Sequence, residues 1–164
     1  MLATCGEEIL KDMWMFHIIE QKWTFVKPSY NAIRYLDVKV PKPRYGHTAS
    51  YVQLYDPESL TIDDEPFLRK YMYIYGGFSF ECQTACLDLW RYEIAYGPMA
   101  MYPASTEWKN TGNHWVLLTE DANYGPGPRW RHSMAVSQYF PDENQSRDSH
   151  VLYIFGGIKV LDYD

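Results

Sequence analysis

The sequence predicts an all-β fold, and three observations carry that prediction. Aromatic residues make up 17% of the 164 residues, as 15 Tyr, 7 Phe and 6 Trp, and aromatic side chains favour strands and supply large packing surfaces. The most strand-like runs are short, aromatic and closed by turn residues: Tyr71-Met72-Tyr73-Ile74-Tyr75 leads into Gly76-Gly77, and Val151-Leu152-Tyr153-Ile154-Phe155 into Gly156-Gly157. No window keeps apolar residues at helical spacing for more than about two turns, although 7–13 allows a short helix.

Strands are expected in order over 12–18, 22–27, 46–54, 71–75, 88–94, 114–119, 132–139 and 151–155. Each alternates or runs apolar over a strand's length and is bounded by Pro, Gly or polar residues. The Pro- and Gly-rich segments 39–43, 97–103 and 125–128 read as loops. With 46% hydrophobic and 22% charged residues, the chain should bury a core rather than stay disordered. The formal net charge of −6 argues against a nucleic-acid binder held by phosphate contacts, which needs a concentrated basic face. No apolar run approaches the roughly 20 residues of a membrane span. The start of the chain shows no signal-peptide pattern.

An internal repeat organises these strands. Pro43-Arg44-Tyr45-Gly46-His47-Thr48 matches Pro128-Arg129-Trp130-Arg131-His132-Ser133 at an offset of 85. The double glycines Gly76-Gly77 and Gly156-Gly157 recur at 80, and the Asp-x-Trp pairs Asp12/Trp14 and Asp88/Trp90 at 76. A lone tryptophan follows each Asp-x-Trp, as Trp23 and Trp115. Three features recurring in one cyclic order, with spacing that drifts as loop insertions would make it, define a repeat.

This ordered set resembles the kelch repeat, the four-stranded blade of a β-propeller, and the resemblance covers nearly all of the chain. The departure is length, since a kelch unit is about 50 residues and the period here is near 80. The excess is assigned to surface loops at 55–70, 95–113 and 140–150, where insertions cost little. The resemblance implies an all-β, kelch-type propeller fragment of about two four-stranded blades. Strands c and d of a half blade lie in 1–27, a full blade with insertions in 28–127, and strands a and b of another half blade in 128–164. All belong to one propeller piece that is not closed on its own, because propellers close with typically four to eight blades. The missing blades then lie in further sequence or in another chain.

Within that frame the structural motif residues are Gly76, Gly77, Gly156 and Gly157, which end inner strands where backbones crowd and a positive φ is needed. Trp14 and Trp90 are to fill the wedge between blades, and His47 and His132 to hydrogen-bond within the motif. Arg44 and Arg129 map to the propeller mouth, each followed by an aromatic residue, Tyr45 and Trp130. These four are the candidate partner-binding residues, suited to acidic or aromatic groups; the alternative is that both arginines tie blades together. The insertions 28–42, 55–70 and 95–113 are further candidate surfaces, the last with Trp108, Met99, Met101 and Tyr102.

Cys82 and Cys86 stand at C-x3-C spacing, which a tight turn can close into a disulfide; the alternative is three reduced thiols, counting Cys5. Asn144-Gln145-Ser146 is a glycosylation sequon at Asn144. Both features point to the secretory pathway or the extracellular space, with the cytoplasm as the alternative. The five histidines show no metal-ligand spacing, and no nucleophile elbow or phosphate loop is present. No metal site, catalytic residue or cofactor is therefore expected. The expected function is a non-catalytic protein-interaction or structural assembly module whose partners are other protein chains or the missing blades. The alternatives are an intracellular kelch scaffold or adaptor, and a fragment of a galactose-oxidase-like propeller enzyme.

Overall fold

The computed structural model describes residues 8–26, 39–60, 66–83, 85–94, 114–121, 123, 125–139 and 149–159. They form eight strands: β1 (Trp14–His17), β2 (Lys22–Phe25), β3 (Thr48–Leu60), β4 (Pro66–Tyr75), β5 (Leu89–Ile94), β6 (His114–Thr119), β7 (Ser133–Tyr139) and β8 (Ser149–Phe155). All pairing is antiparallel and follows sequence order. It gives a two-stranded sheet β1–β2, a four-stranded sheet β3–β4–β5–β6 and a two-stranded sheet β7–β8. None of the sheets is closed on itself, and no α-helix occurs among the described residues. The chain is all-β.

Alternation sets the faces. On β5 the side chains of Trp90 and Tyr92 are buried while the alternating Leu89, Arg91 and Glu93 are only partly covered, the period-two pattern of a strand with one packed face. Tyr92 lies opposite Trp115 of β6, with ring centroids 5.0 Å apart. Trp90 meets the same ring edge-on at 6.5 Å. Among the described residues, Val52, Tyr71, Ile74, Tyr75, Ala85, Cys86, Trp90 and Tyr92 are buried apolar residues. The core therefore sits in the four-stranded sheet and in the segment joining β4 to β5. β7 packs beside β3, so the first strands of successive repeats are neighbours.

The structure corrects the expectations in three places. Within the segment 55–70, expected to be a loop, residues 55–60 and 66–70 continue the hairpin: Tyr55 pairs with Leu68, Asp56 with Phe67 and Leu60 with Pro66, across an irregularity after Asp56. Pairing satisfies backbone groups that a loop would leave to water, and Tyr55 and Phe67 are residue types that suit strands. Residues 8–13 form no helix. The first strand is Trp14–His17, shorter than 12–18, because a tight turn over 18–21 with Gln21 at φ 51° closes the β1–β2 hairpin. The expected insertion 95–113 and residues 140–148 of the expected insertion 140–150, and with them Trp108, Met99, Met101, Tyr102 and Asn144, lie outside the described residues, whereas Ser149 and His150 of the latter begin β8 and pair with Tyr139 and Gln138. No helix among the described residues is long and apolar enough to cross a membrane.

Candidate interaction site

The site grows from the seam between the two copies of the repeat. Arg44, in the segment entering β3, is buried. Its Nη1 and Nη2 donate to Asp88 Oδ1 at 2.6 Å and Oδ2 at 2.8 Å. Nη1 also donates to the Gly76 carbonyl at 2.9 Å, and Nε to the Lys42 carbonyl at 3.0 Å. Trp90 Nε1 donates to Asp88 Oδ2 at 2.5 Å. One guanidinium thus joins the strand-entry turn, the double glycine and the Asp-x-Trp strand in a two-pronged geometry that lysine cannot reproduce. Burial pushes the Asp88 carboxyl up, but the hydrogen bonds and charge of Arg44, with the Trp90 N–H, outweigh it and hold the group below the usual carboxylate value.

The double glycine faces the second repeat. Gly76 and Gly77 have φ of 59° and 95°, a region that disfavours side chains. A Cβ on Gly76 would strike the Arg129 carbonyl, and one on Gly77 would lie 2.9 Å from His47 Cβ. The Gly77 N–H donates to the Arg129 carbonyl at 2.9 Å. Cys86 ties the same point from the other side: its N–H donates to the Gly77 carbonyl at 2.7 Å, and its carbonyl accepts from Arg129 N–H at 3.3 Å. Cys82 and Cys86 are joined, with sulfurs 2.13 Å and Cα atoms 5.5 Å apart. A 3-10 turn, Phe80–Cys82, capped by the buried Ser79 Oγ, sets the loop. The disulfide therefore fixes a loop that backbone bonds connect to both repeats.

The second repeat reuses these contacts in part. Trp130 and Ile158 exchange backbone hydrogen bonds, as Tyr45 and Phe78 do, and the Arg131 N–H donates across the seam to the Gly46 carbonyl at 2.7 Å. Gly46 and Arg131 occupy equivalent positions with φ of 63° and 54°. Arg129 Nη1 donates to the Gly156 carbonyl at 3.0 Å, as Arg44 does to Gly76. Its Nη2 donates to the Pro126 carbonyl. Among the described residues no carboxylate pairs with it. His132 is buried and shares a 2.5 Å hydrogen bond with Thr48 Oγ1 across the seam. Burial, then the Arg129 charge and that of His47, push the His132 pKa down, so the neutral imidazole fills this place.

What the seam leaves to solvent is aromatic. Tyr45 packs on Phe78 at 5.2 Å and edge-on against Trp130 at 5.6 Å. Phe78 is 5.9 Å from Trp130 and 5.7 Å from Phe80. Arg131 stacks over Trp130 with its guanidinium 4.6 Å from the ring centroid. Tyr45 and Phe80 are exposed. An open cleft of about 610 Å³ runs beside them, lined by Glu8, Ile9, Leu10, Arg44, Tyr45, Phe78 and Phe80.

Of the expected partner-binding residues, Tyr45 and Trp130 come together at this surface, whereas Arg44 is committed to internal bonds and Arg129 holds backbone carbonyls. Phe78, Phe80 and Arg131 join the cluster; the signal for the two phenylalanines was the alternation of aromatic residues directly after Gly76-Gly77. Trp90 is buried as a packing residue, but Trp14 is exposed. His47 lies at the exposed rim of the seam. No group of three or more metal-ligating side chains converges among the described residues. Comparison with protein-family models, curated proteins and solved structures finds no match to the chain.

Proposed function

We propose that the chain is a non-catalytic protein-interaction or assembly module of kelch-type propeller architecture, presenting the aromatic cleft of the seam to a protein partner. The observation that carries this reading is the division of labour within the repeat. Arg44, Asp88 and the glycines Gly76 and Gly77 are consumed by packing between strands and repeats, while Tyr45, Trp130, Phe78 and Phe80 remain clustered beside an open cleft. Aromatic residues flanked by an arginine are the composition of protein-binding hot spots. The propeller part of the reading is supported by four antiparallel strands in sequence order, neighbouring first strands β3 and β7, and the repeated bond from a motif arginine to the first glycine of each pair. The Cys82–Cys86 bond favours an oxidising compartment, the secretory pathway or the extracellular space.

Site-specific photo-crosslinking tests the proposal. A photoreactive phenylalanine at position 80 should give one discrete heterologous adduct in native extract, lost when Tyr45→Ser is added; a probe at the exposed Gln53 should not give it. Equal labelling at both positions, or an adduct indifferent to Tyr45→Ser, would overturn it.

A further inference from the structure

The four-stranded sheet supplies a template for both two-stranded sheets. In it β4 pairs with β5, Ile74 opposite Trp90 and Tyr73 opposite Arg91, and the Arg44–Asp88 ion pair joins the same units. The repeat makes β8 the equivalent of β4 and β1 the equivalent of β5. Neither has its partner: the outer edges of β8 and β1 pair with no strand among the described residues. The consequences appear residue by residue. Trp90 is 4% exposed and its equivalent Trp14 53%; Tyr75 is 3% exposed and its equivalent Phe155 81%. Phe16, the equivalent of the buried Tyr92, is exposed as well. A Cβ on Gly156 would meet nothing within 4 Å, where one on Gly76 strikes backbone.

The charges match in the same way. Asp12 receives the Trp14 Nε1 hydrogen bond at 2.6 Å, as Asp88 receives that of Trp90, but no cation reaches it among the described residues. Arg129 grips the Gly156 carbonyl as Arg44 grips Gly76, but its Nη2 bonds to the Pro126 carbonyl in place of a carboxylate and its Nε has no partner among the described residues. One edge carries the unpaired arginine and the other the unpaired aspartate of a single ion pair.

We infer that β8 of one copy of this chain receives β1 of a second copy in the β4–β5 register, with Arg129 of the first pairing with Asp12 of the second. Each joint makes a four-stranded sheet from β7 and β8 of one copy and β1 and β2 of the next. The contact is head-to-tail, which closes into a ring when the rotation between copies allows it. With two sheets' worth of strands per copy, two to four copies reach the four to eight sheets at which propellers close. The inference rests on the propeller reading of the fold and not on the aromatic cleft.

The test uses the 164-residue chain in a Cys5→Ser background. Sedimentation equilibrium should return two, three or four times 19.4 kDa. Arg129→Asp and Asp12→Arg should each weaken self-association by roughly tenfold or more, and the two reversals combined in one chain should restore it. Mixing Tyr153→Cys with Met15→Cys, the equivalents of the Tyr73–Arg91 pair, should give a disulfide dimer under mild oxidation; Tyr153→Cys with Phe16→Cys, one position out of register, should not. A 19.4 kDa species at every concentration would overturn the inference, with strands from elsewhere in a longer polypeptide as the occupants. So would self-association indifferent to both charge reversals. A monomer whose position-80 adduct persists would sink the assembly and leave the cleft reading standing.

Discussion

Asp88→Ala is the perturbation whose cost the structure determines most directly. The Asp88 carboxylate accepts bonds of 2.6 and 2.8 Å from Arg44 and 2.5 Å from Trp90, with the arginine and aspartate side chains only 3% and 13% exposed. Truncation strands a buried guanidinium with two backbone carbonyls as its remaining acceptors and orphans the indole N–H. Removing one partner of a buried pair costs about 3–5 kcal/mol, which at this chain length lowers Tm by roughly 6–20 °C. The repeat provides its own control. Asp12→Ala, compared at concentrations where the chain is dissociated, removes the equivalent residue where it is exposed and bonded only to Trp14, and should cost within about 0.5 kcal/mol. Replacing Arg44 and Asp88 together by Leu should recover much of the loss, since the pair's desolvation penalty goes with it. The assay is urea unfolding followed by tryptophan fluorescence. Because the folded Asp88 pKa lies below its unfolded value, the pair's contribution is present above the ordinary carboxylate value near 3.9 and disappears as pH falls through the folded pKa. Equal losses for Asp88→Ala and Asp12→Ala at neutral pH would refute the account of the clamp.

Three further outcomes are expected. Gly77→Val places a β-branched side chain at φ 95° against His47 and should prevent cooperative unfolding altogether, while Gly156→Ala, at φ 71° but in open space in the dissociated chain, should cost that chain only about 1 kcal/mol; circular dichroism melts at low concentration compare them, and a well-folded Gly77→Val protein would contradict the packing. Reducing Cys82–Cys86 should destabilise the fold by about 2 kcal/mol, the loop-closure value for so short a ring; an unchanged denaturation midpoint in reductant would show that the loop is held without it. His132 is kept below its ordinary pKa in the fold, so its contribution is full above about pH 6.5 and declines as pH falls through the folded value. His132→Gln should flatten that part of the stability–pH curve, and an unaltered slope would place the acid sensitivity elsewhere.

The sequence made the strands legible because each is aromatic, short and closed by Gly or Pro. The repeat made their order legible. It also marked the Arg, Gly-Gly and Asp-x-Trp positions that meet at the seam. What it did not reveal was the use of each residue. Arg44 and Arg129 carry the same motif, yet one is buried in an ion pair and the other holds only carbonyls, a difference set by which strands lie alongside. The hairpin through 55–60 and 66–70 was hidden because acidic and proline residues there resemble a solvated insertion, while cross-strand pairing is a non-local property. Phe78 and Phe80 carry no mark of their use in the sequence, because an aromatic residue after a glycine pair reads equally as core. Only the geometry of the seam puts them at the surface beside Tyr45.

The central structural claim is that the second repeat seats on the first through its motif residues. Amide hydrogen exchange tests it at Gly77, Arg129 and Arg131, whose N–H groups bond to Arg129, Cys86 and Gly46 across the seam. The account predicts protection at all three close to that of the β4–β5 amides, since one cooperative unit opens together. Exchange at these three positions as fast as in an unstructured peptide, with β4 and β5 still protected, would mean that the repeats fold without packing and would contradict it.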